Sequence, residues 1–298
     1  MKATFKLGLI CLAALSVSAC DDLDPTSQKG VFSYSNPTTN NMTFKVDGKS
    51  YDVLPGHKDT LKLSPGEHKL ENSKGDTFSF MVFDNNNGGI INPENHVYYT
   101  LSEVYAVEGK EKSFKPATYE ITINGHQLEM SARSANASVI DANMFKCSYG
   151  LGEPFPESIT TRDKKSNGNI LSKCFDKPEL IKYIADQYGE NLAVNSPDGE
   201  NKDSINMAFS YDIPTTNGLD PKIQTQAEKL VSLLKQLKET NDVGIHKELY
   251  KQYSDIQSDL IKASVNSDRS NNTLEQREKY NDFSRQAGVL VSYGIWAK

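Results

Sequence analysis

The sequence predicts an α+β protein, an N-terminal antiparallel β-sandwich-like domain followed by a mostly helical C-terminal domain. Three observations predict it. Between residues 43 and 140 apolar residues alternate with polar ones, and the runs break at Asp47-Gly48, Pro65-Gly66 and Asn124-Gly125. Beyond residue 176 the apolar spacing changes to threes and fours. The later runs also open on capping residues, Asp176, Asp220 and Thr273. A period of two lines one face of a strand, and a period near 3.6 lines one side of a helix.

The organisation that follows has residues 1–19 as an export signal and 20–30 as a tether. Residues 31–140 form the sandwich-like domain, 141–219 a mixed segment holding a disulfide, and 220–298 a helical hairpin or bundle. V-F-S-Y at 31–34 is a first strand. T-F-K-V-D-G-K-S-Y-D-V alternates on both sides of Asp47-Gly48, the pattern of a two-residue hairpin. Pro65-Gly66 suits the corners of a type II turn between short strands. The aromatic run T-F-S-F-M-V-F at 77–83 reads as an inner strand. H-V-Y-Y-T-L at 96–101 and S-E-V-Y-A-V at 102–107 add two more, and a further hairpin is centred on Asn124-Gly125.

The helices come next. Pro178–Tyr188 is a short one, followed by a polar surface loop over 189–205. Asp220-Pro221 starts a longer one, since an acceptor followed by proline suits the first turn. Ile223, Ala227, Leu230, Val231, Leu234 and Leu237 form its stripe. Ile245, Leu249, Tyr253, Ile256, Leu260 and Ile261 form a second stripe. Thr273 with Gln276 opens a third helix, with Tyr280, Phe283, Ala287, Leu290 and Val291 inward. These stripes are expected to bury against each other or the sheet. The tail residues Tyr293, Ile295 and Trp296 are expected to close the helical core.

The first residues carry an address. Lys2 and Lys6 precede an apolar run from Leu7 to Leu15, too short to span a bilayer comfortably. Val17-Ser18-Ala19-Cys20 then resembles the lipobox of bacterial lipoproteins. That resemblance implies cleavage before Cys20 and acylation of its thiol and new amine. Each buried methylene contributes roughly 0.8 kcal/mol, so two or more acyl chains give stable anchoring. Asp21 and Asp22 resemble the signal that retains lipoproteins of enteric bacteria in the inner membrane, at its periplasmic face. Within residues 42–70, V-D-G-x-x-Y and L-S-P-G-E-H are similar to the PEGA type of immunoglobulin-like surface module. Such modules act as spacers or adhesion platforms.

Charge and cysteines narrow the function. The formal charge is −6, and more negative once Lys2 and Lys6 leave with the signal, which argues against a nucleic-acid surface. Cys11 departs with the signal and Cys20 takes lipid. Cys147 and Cys174 remain, a pair expected to form a disulfide in an oxidising compartment. No catalytic residue, metal ligand set or cofactor motif stands out. His57, His68, His96, His126 and His246 form no H-x-x-x-H or H-E-x-x-H arrangement. His57 and His68 both flank Pro-Gly corners, and chance surface positions are the expectation for them. Asp84 and the asparagines after it lack the alternate ligands of a calcium loop. Glu94 and Glu103 lie near Tyr98, Tyr99 and Tyr105, a set that reads as a binding surface.

The expected function is therefore a membrane-anchored periplasmic lipoprotein acting as a non-enzymatic binding or scaffold module. Membrane lipid holds it through acylated Cys20, and an envelope protein or glycan is its partner. Two alternatives remain: a glycan hydrolase using paired carboxylates, and a protective lipoprotein against a toxin or phage protein.

Overall fold

A computed structural model describes residues 28–194, 203–266 and 273–298. The export signal, Cys20, Asp21, Asp22 and the tether to residue 27 lie outside the described residues, as do residues 195–202 of the polar loop. The described chain is α+β, with antiparallel strands first and helices after them.

Strand β1 (Val31–Ser35) precedes the hairpin of β2 (Met42–Val46) and β3 (Lys49–Val53). Its turn has φ of +52° at Asp47 and +80° at Gly48. A type I′ turn needs left-handed backbone at both central residues, which Asp-Gly tolerates. Pro65-Gly66 joins β4 (Lys58–Lys62) to β5 (Gly66–Glu71), yet these two do not pair. The chain changes sheets there: β4 pairs with β1, while β5 pairs with β2 and with β6 (Thr77–Val82). Strand β7 (Gly89–Ile91) runs parallel to β1 on its other side.

One expectation is corrected next. Residues 96–107 hold one nine-residue strand, β8 (Tyr98–Ala106), not two. No turn residue separates Leu101 from Ser102, and a long partner pairs with its whole length. The second hairpin follows as β9 (Tyr119–Ile123) and β10 (His126–Met130). Then β11 (Ala132–Ala135) pairs with β8, and β12 (Val139–Asp141) with β7. After the short α1 (Thr161–Lys165), β13 (Gly168–Asp176) is the long partner of β8, from Gly168 opposite Ala106 to Asp176 opposite Tyr98.

Asp176 caps α2 (Lys177–Tyr188), its carboxylate accepting the Glu179 N–H at 3.1 Å. Helices α3 (Pro221–Glu239), α4 (Val243–Asn266) and α5 (Leu274–Ser292) each start on a side-chain cap, from Asp220, Asp242 and Thr273 respectively. The Thr273–Gln276 pair completes a capping box. The chain then ends in β14 (Ile295–Ala297), which pairs with β6.

Two sheets, β12-β7-β1-β4 and β14-β6-β5-β2-β3, enclose the sandwich core of Phe32, Phe44, Leu70, Phe80, Ile91 and Ile295. The opposite face of β6 and β14 presents Met81, Phe83 and Trp296 to Leu230, Leu234, Leu260 and Phe283 of the helices. The tail thus closes two cores. Tyr293 and Trp296 join the helical one, as expected, and Ile295 enters the sandwich.

The second helical stripe also needs correction. Ile245 and Ile261 are exposed, at 54 % and 47 %, and His246 takes a buried place instead. At about 100° per residue, positions 246, 249, 253, 256 and 260 face one way, and 245 and 261 fall on opposite flanks of that line. The imidazole of His246 stacks on Phe83 with ring centroids 3.5 Å apart, which fixes the rotation of α4.

Candidate functional site

The residues expected to form a binding surface separate in the fold. Tyr98 and Tyr99 are buried on opposite faces of β8, so neither offers a ring to a ligand. Alternation on a strand paired on both sides dictates this. Tyr98 Oη meets Ser35 Oγ at 3.1 Å, and burial pushes its phenol up to about 12. Tyr99 packs with Phe175 and Leu180 under α2. Glu94 accepts the Ser73 N–H at 3.1 Å and its hydroxyl at 2.6 Å, fastening a turn of the sandwich. Glu103 and Tyr105 are two apart on β8 and share a face, where an aromatic basin forms.

Phe155 is the hub of this basin. Its ring centroid lies 5.9 Å from Tyr149, 6.1 Å from Tyr105, 5.6 Å from Tyr183 and 6.3 Å from Phe175. Tyr188 meets Tyr183 edge-on at 6.3 Å. The Glu103 carboxylate sits among the rings, Oε1 accepting from the Tyr188 hydroxyl and, at 3.5 Å, from Tyr183. Burial pushes both phenols up, and the adjacent Glu103 charge adds to it, so both remain protonated donors. The strand supplies Glu103 and Tyr105, α2 supplies Tyr183 and Tyr188, and the 145–156 segment supplies Tyr149 and Phe155.

The sequence pattern points to only Tyr105 among these rings and not to the other five. Tyr183 and Tyr188 were absorbed into a helical pattern. Phe155 carried a signal of its own, because Pro154 and Pro156 flank it and hold that backbone extended in a loop.

A four-residue ion network lies beside the basin. Lys173 Nζ donates to Glu179 Oε1 at 2.6 Å, to the Gly150 carbonyl at 3.1 Å and to the Cys174 carbonyl at 3.0 Å. Lys58 pairs with Glu179 and, at 3.1 Å, with Asp176. Burial pulls the Lys173 ammonium below its usual value, while Glu179 and Asp176 oppose that. An ammonium has three donors, and all three are committed here. No lone pair is available for nucleophilic chemistry. The network instead ties β4, β13, α2 and the Gly150 loop together.

Cys147 and Cys174 are joined in a disulfide, with Cα atoms 5.4 Å apart. It pins the 145–153 segment beside β13 and forms one wall of a groove of about 870 Å³. The outer face of β1 and β4 makes the floor with Ser33, Lys58 and Thr60. Replacing both cysteines by serine is expected to lower stability by about 2–4 kcal/mol. Urea denaturation of the variant measures this, and an unchanged midpoint would show that the wall holds itself.

The remaining ionisable groups are also placed structurally. His68 joins Asp47 at 2.7 Å and the Ser64 carbonyl at 2.8 Å, and His57 is exposed. His126 meets the Ala193 carbonyl at 3.0 Å, and His96 is half-buried. Asp84 pairs with Lys29 and Lys247, and the Lys247 hydrogen bond holds its carboxyl below the usual value. Among the described residues no group of three His, Cys, Asp or Glu side chains is arranged to hold a metal ion, and no helix is long and apolar enough to cross a membrane. Neither a family model nor a curated protein nor a solved structure matches the chain.

Proposed function

We propose that the chain is a lipid-anchored protein of the cell envelope whose folded body binds a partner and performs no chemistry of its own. One contrast carries the reading. Lys173 and His246 are buried in structural contacts, whereas the basin leaves Tyr105, Tyr149, Phe155 and Tyr183 half-exposed around a carboxylate. Tyrosine and other aromatic side chains contribute large contact areas at binding surfaces, with a polar tip to orient the partner. The disulfide supports an oxidising compartment. Acylated Cys20 is the anchor, and Asp21 with Asp22 favours the periplasmic face of the inner membrane. A paired-carboxylate hydrolase has less support, because Glu94 holds a sandwich turn while Glu103 is held by α2 tyrosines.

Two measurements test this. Cys20→Ser is expected to move the protein from the membrane pellet to the soluble fraction, and unchanged fractionation would remove the anchor. A photoreactive phenylalanine analogue at position 155, irradiated in intact cells, is expected to give a dominant cross-linked species. The same analogue on an exposed α4 position should not give it. Absence of any species specific to position 155 would overturn the binding reading.

A further inference from the structure

Resting on that reading, we propose that the basin around Glu103 is the docking site for an arginine side chain on a basic segment of a partner protein. The first observation is an unmatched charge. Glu103 makes no ion pair among the described residues, and its second oxygen accepts no hydrogen bond there. After burial, its charge is what raises the phenols of Tyr105, Tyr183 and Tyr188 most. The neighbouring network is balanced within itself, two lysines against Asp176 and Glu179.

The second observation is what surrounds that charge. Ring faces carry the negative part of an aromatic quadrupole, and a cation near such faces is stabilised by it. A carboxylate among rings adds a full negative charge, and partial burial strengthens its attraction for a counter-ion relative to bulk water. The basin therefore selects positive ligands twice.

The third observation is hydrogen-bond polarity. Tyr188, and more weakly Tyr183, donates its proton to Glu103, so each phenol oxygen has only acceptor capacity left for a ligand. A ligand rich in donors and without acceptors fits that arrangement. A guanidinium has five donors and no acceptor, and its plane stacks on rings, which an ammonium does less well. A sugar hydroxyl brings two acceptor lone pairs with its one donor and is matched less well. The rings spread over β8, α2 and the 145–156 segment, and Tyr188 is 51 % exposed. This is an open surface that a partner's body would cover, unlike a closed pocket for a free amine. The sequence is acidic, at −6 even with the two signal lysines counted, which favours approach of a basic partner.

The test uses full-length lipidated protein in detergent and a fluorescein-labelled hexa-arginine peptide, compared by anisotropy with its hexa-citrulline twin. Citrulline keeps shape and size while removing the charge. Binding of the arginine peptide at least tenfold tighter than citrulline is expected. Glu103→Gln should erase most of that difference while leaving the melting temperature within a few degrees of wild type. Phe155→Ala should weaken binding similarly. Equal binding of the two peptides, binding by Glu103→Gln as tight as wild type, or no binding at all would each overturn the proposal. Its failure is separable from failure of the binding reading. A cross-linked species from position 155 that survives Glu103→Gln removes the arginine site and keeps the module. Peptide binding without any such species does the reverse.

Discussion

Removing residues 293–298 is expected to abolish the cooperative fold, not merely to trim it. Ile295 and Trp296 are each 1 % exposed, and Tyr293 is also buried. Truncating a large buried aromatic or aliphatic side chain costs about 2–5 kcal/mol. Losing three at once approaches or exceeds the about 5–15 kcal/mol that holds a typical domain together. The backbone adds to this. Phe83 N–H donates to the Gly294 carbonyl at 2.9 Å, and Lys298 N–H donates to the Ser79 carbonyl at 3.0 Å. Without β14, the β6 edge and its row of apolar side chains would face water. The approach at Gly294 is close enough that a Cβ would come within 2.6 Å of Asn86 Cα, so Gly294→Ala should also destabilise.

Trp296 is the sole tryptophan, so its fluorescence reports directly on this seam. In urea, wild-type fluorescence and far-UV circular dichroism should change together. Trp296→Ala should lower stability by about 3–5 kcal/mol. A tail-deleted chain with the wild-type denaturation midpoint would show that β14 is an ornament. A fluorescence transition well before the circular dichroism transition would mean that the seam opens alone.

The same seam explains what the sequence made legible and what it hid. Turns and caps are decided by residues a few positions apart. Asp47-Gly48, Asn124-Gly125, Asp220 and the Thr273–Gln276 box could therefore be read directly, and each is found in its expected role. Strand β13 could not. G-N-I-L-S-K-C-F-D does not alternate, because Lys173 is a buried charge whose partners come from α2 and the Gly150 loop. Its strand character comes from pairing with β8, a tertiary cause. Strand β14 is three residues long, and only its apolar content hinted at burial. The basin divides along the same line. Alternation on one strand brings Glu103 and Tyr105 to one face, whereas Tyr149, Phe155, Tyr183 and Tyr188 arrive through long-range packing. The same alternation buried Tyr98 and Tyr99, since β8 is covered on both faces at that end.

Two buried titratable groups are expected to give opposite pH responses that largely mask each other in the wild type. Asp141 is 1 % exposed, and its Oδ2 accepts the Gly294 and Ile295 N–H groups at 2.7 and 3.1 Å. Oδ1 accepts the Asn143 N–H at 2.9 Å. Burial nevertheless prevails over these donors and pushes the carboxyl up to about 6. A raised folded-state value means that stability is present at acid pH and lost as pH rises from about 4 through 6. His246 goes the other way. Burial against Phe83, with Lys298 nearby, pulls its imidazole down to about 4. Its contribution is present above the ordinary histidine value and lost as pH falls from about 6.5 to 4. Each displacement corresponds to about 3 kcal/mol across its window. The windows overlap, so the variants must separate the terms. His246→Phe keeps a ring on Phe83 and should leave a chain whose stability, relative to wild type, declines by about 3 kcal/mol between pH 4 and 6.5. Asp141→Asn should cost about 1–3 kcal/mol at pH 4 through lost acceptors. Relative to wild type, its stability should then climb with pH over the same range. Urea denaturation at half-unit pH steps measures both slopes. Parallel profiles for wild type and His246→Phe would mean that the α4 imidazole is reached by water, and the stack on Phe83 would then open in solution.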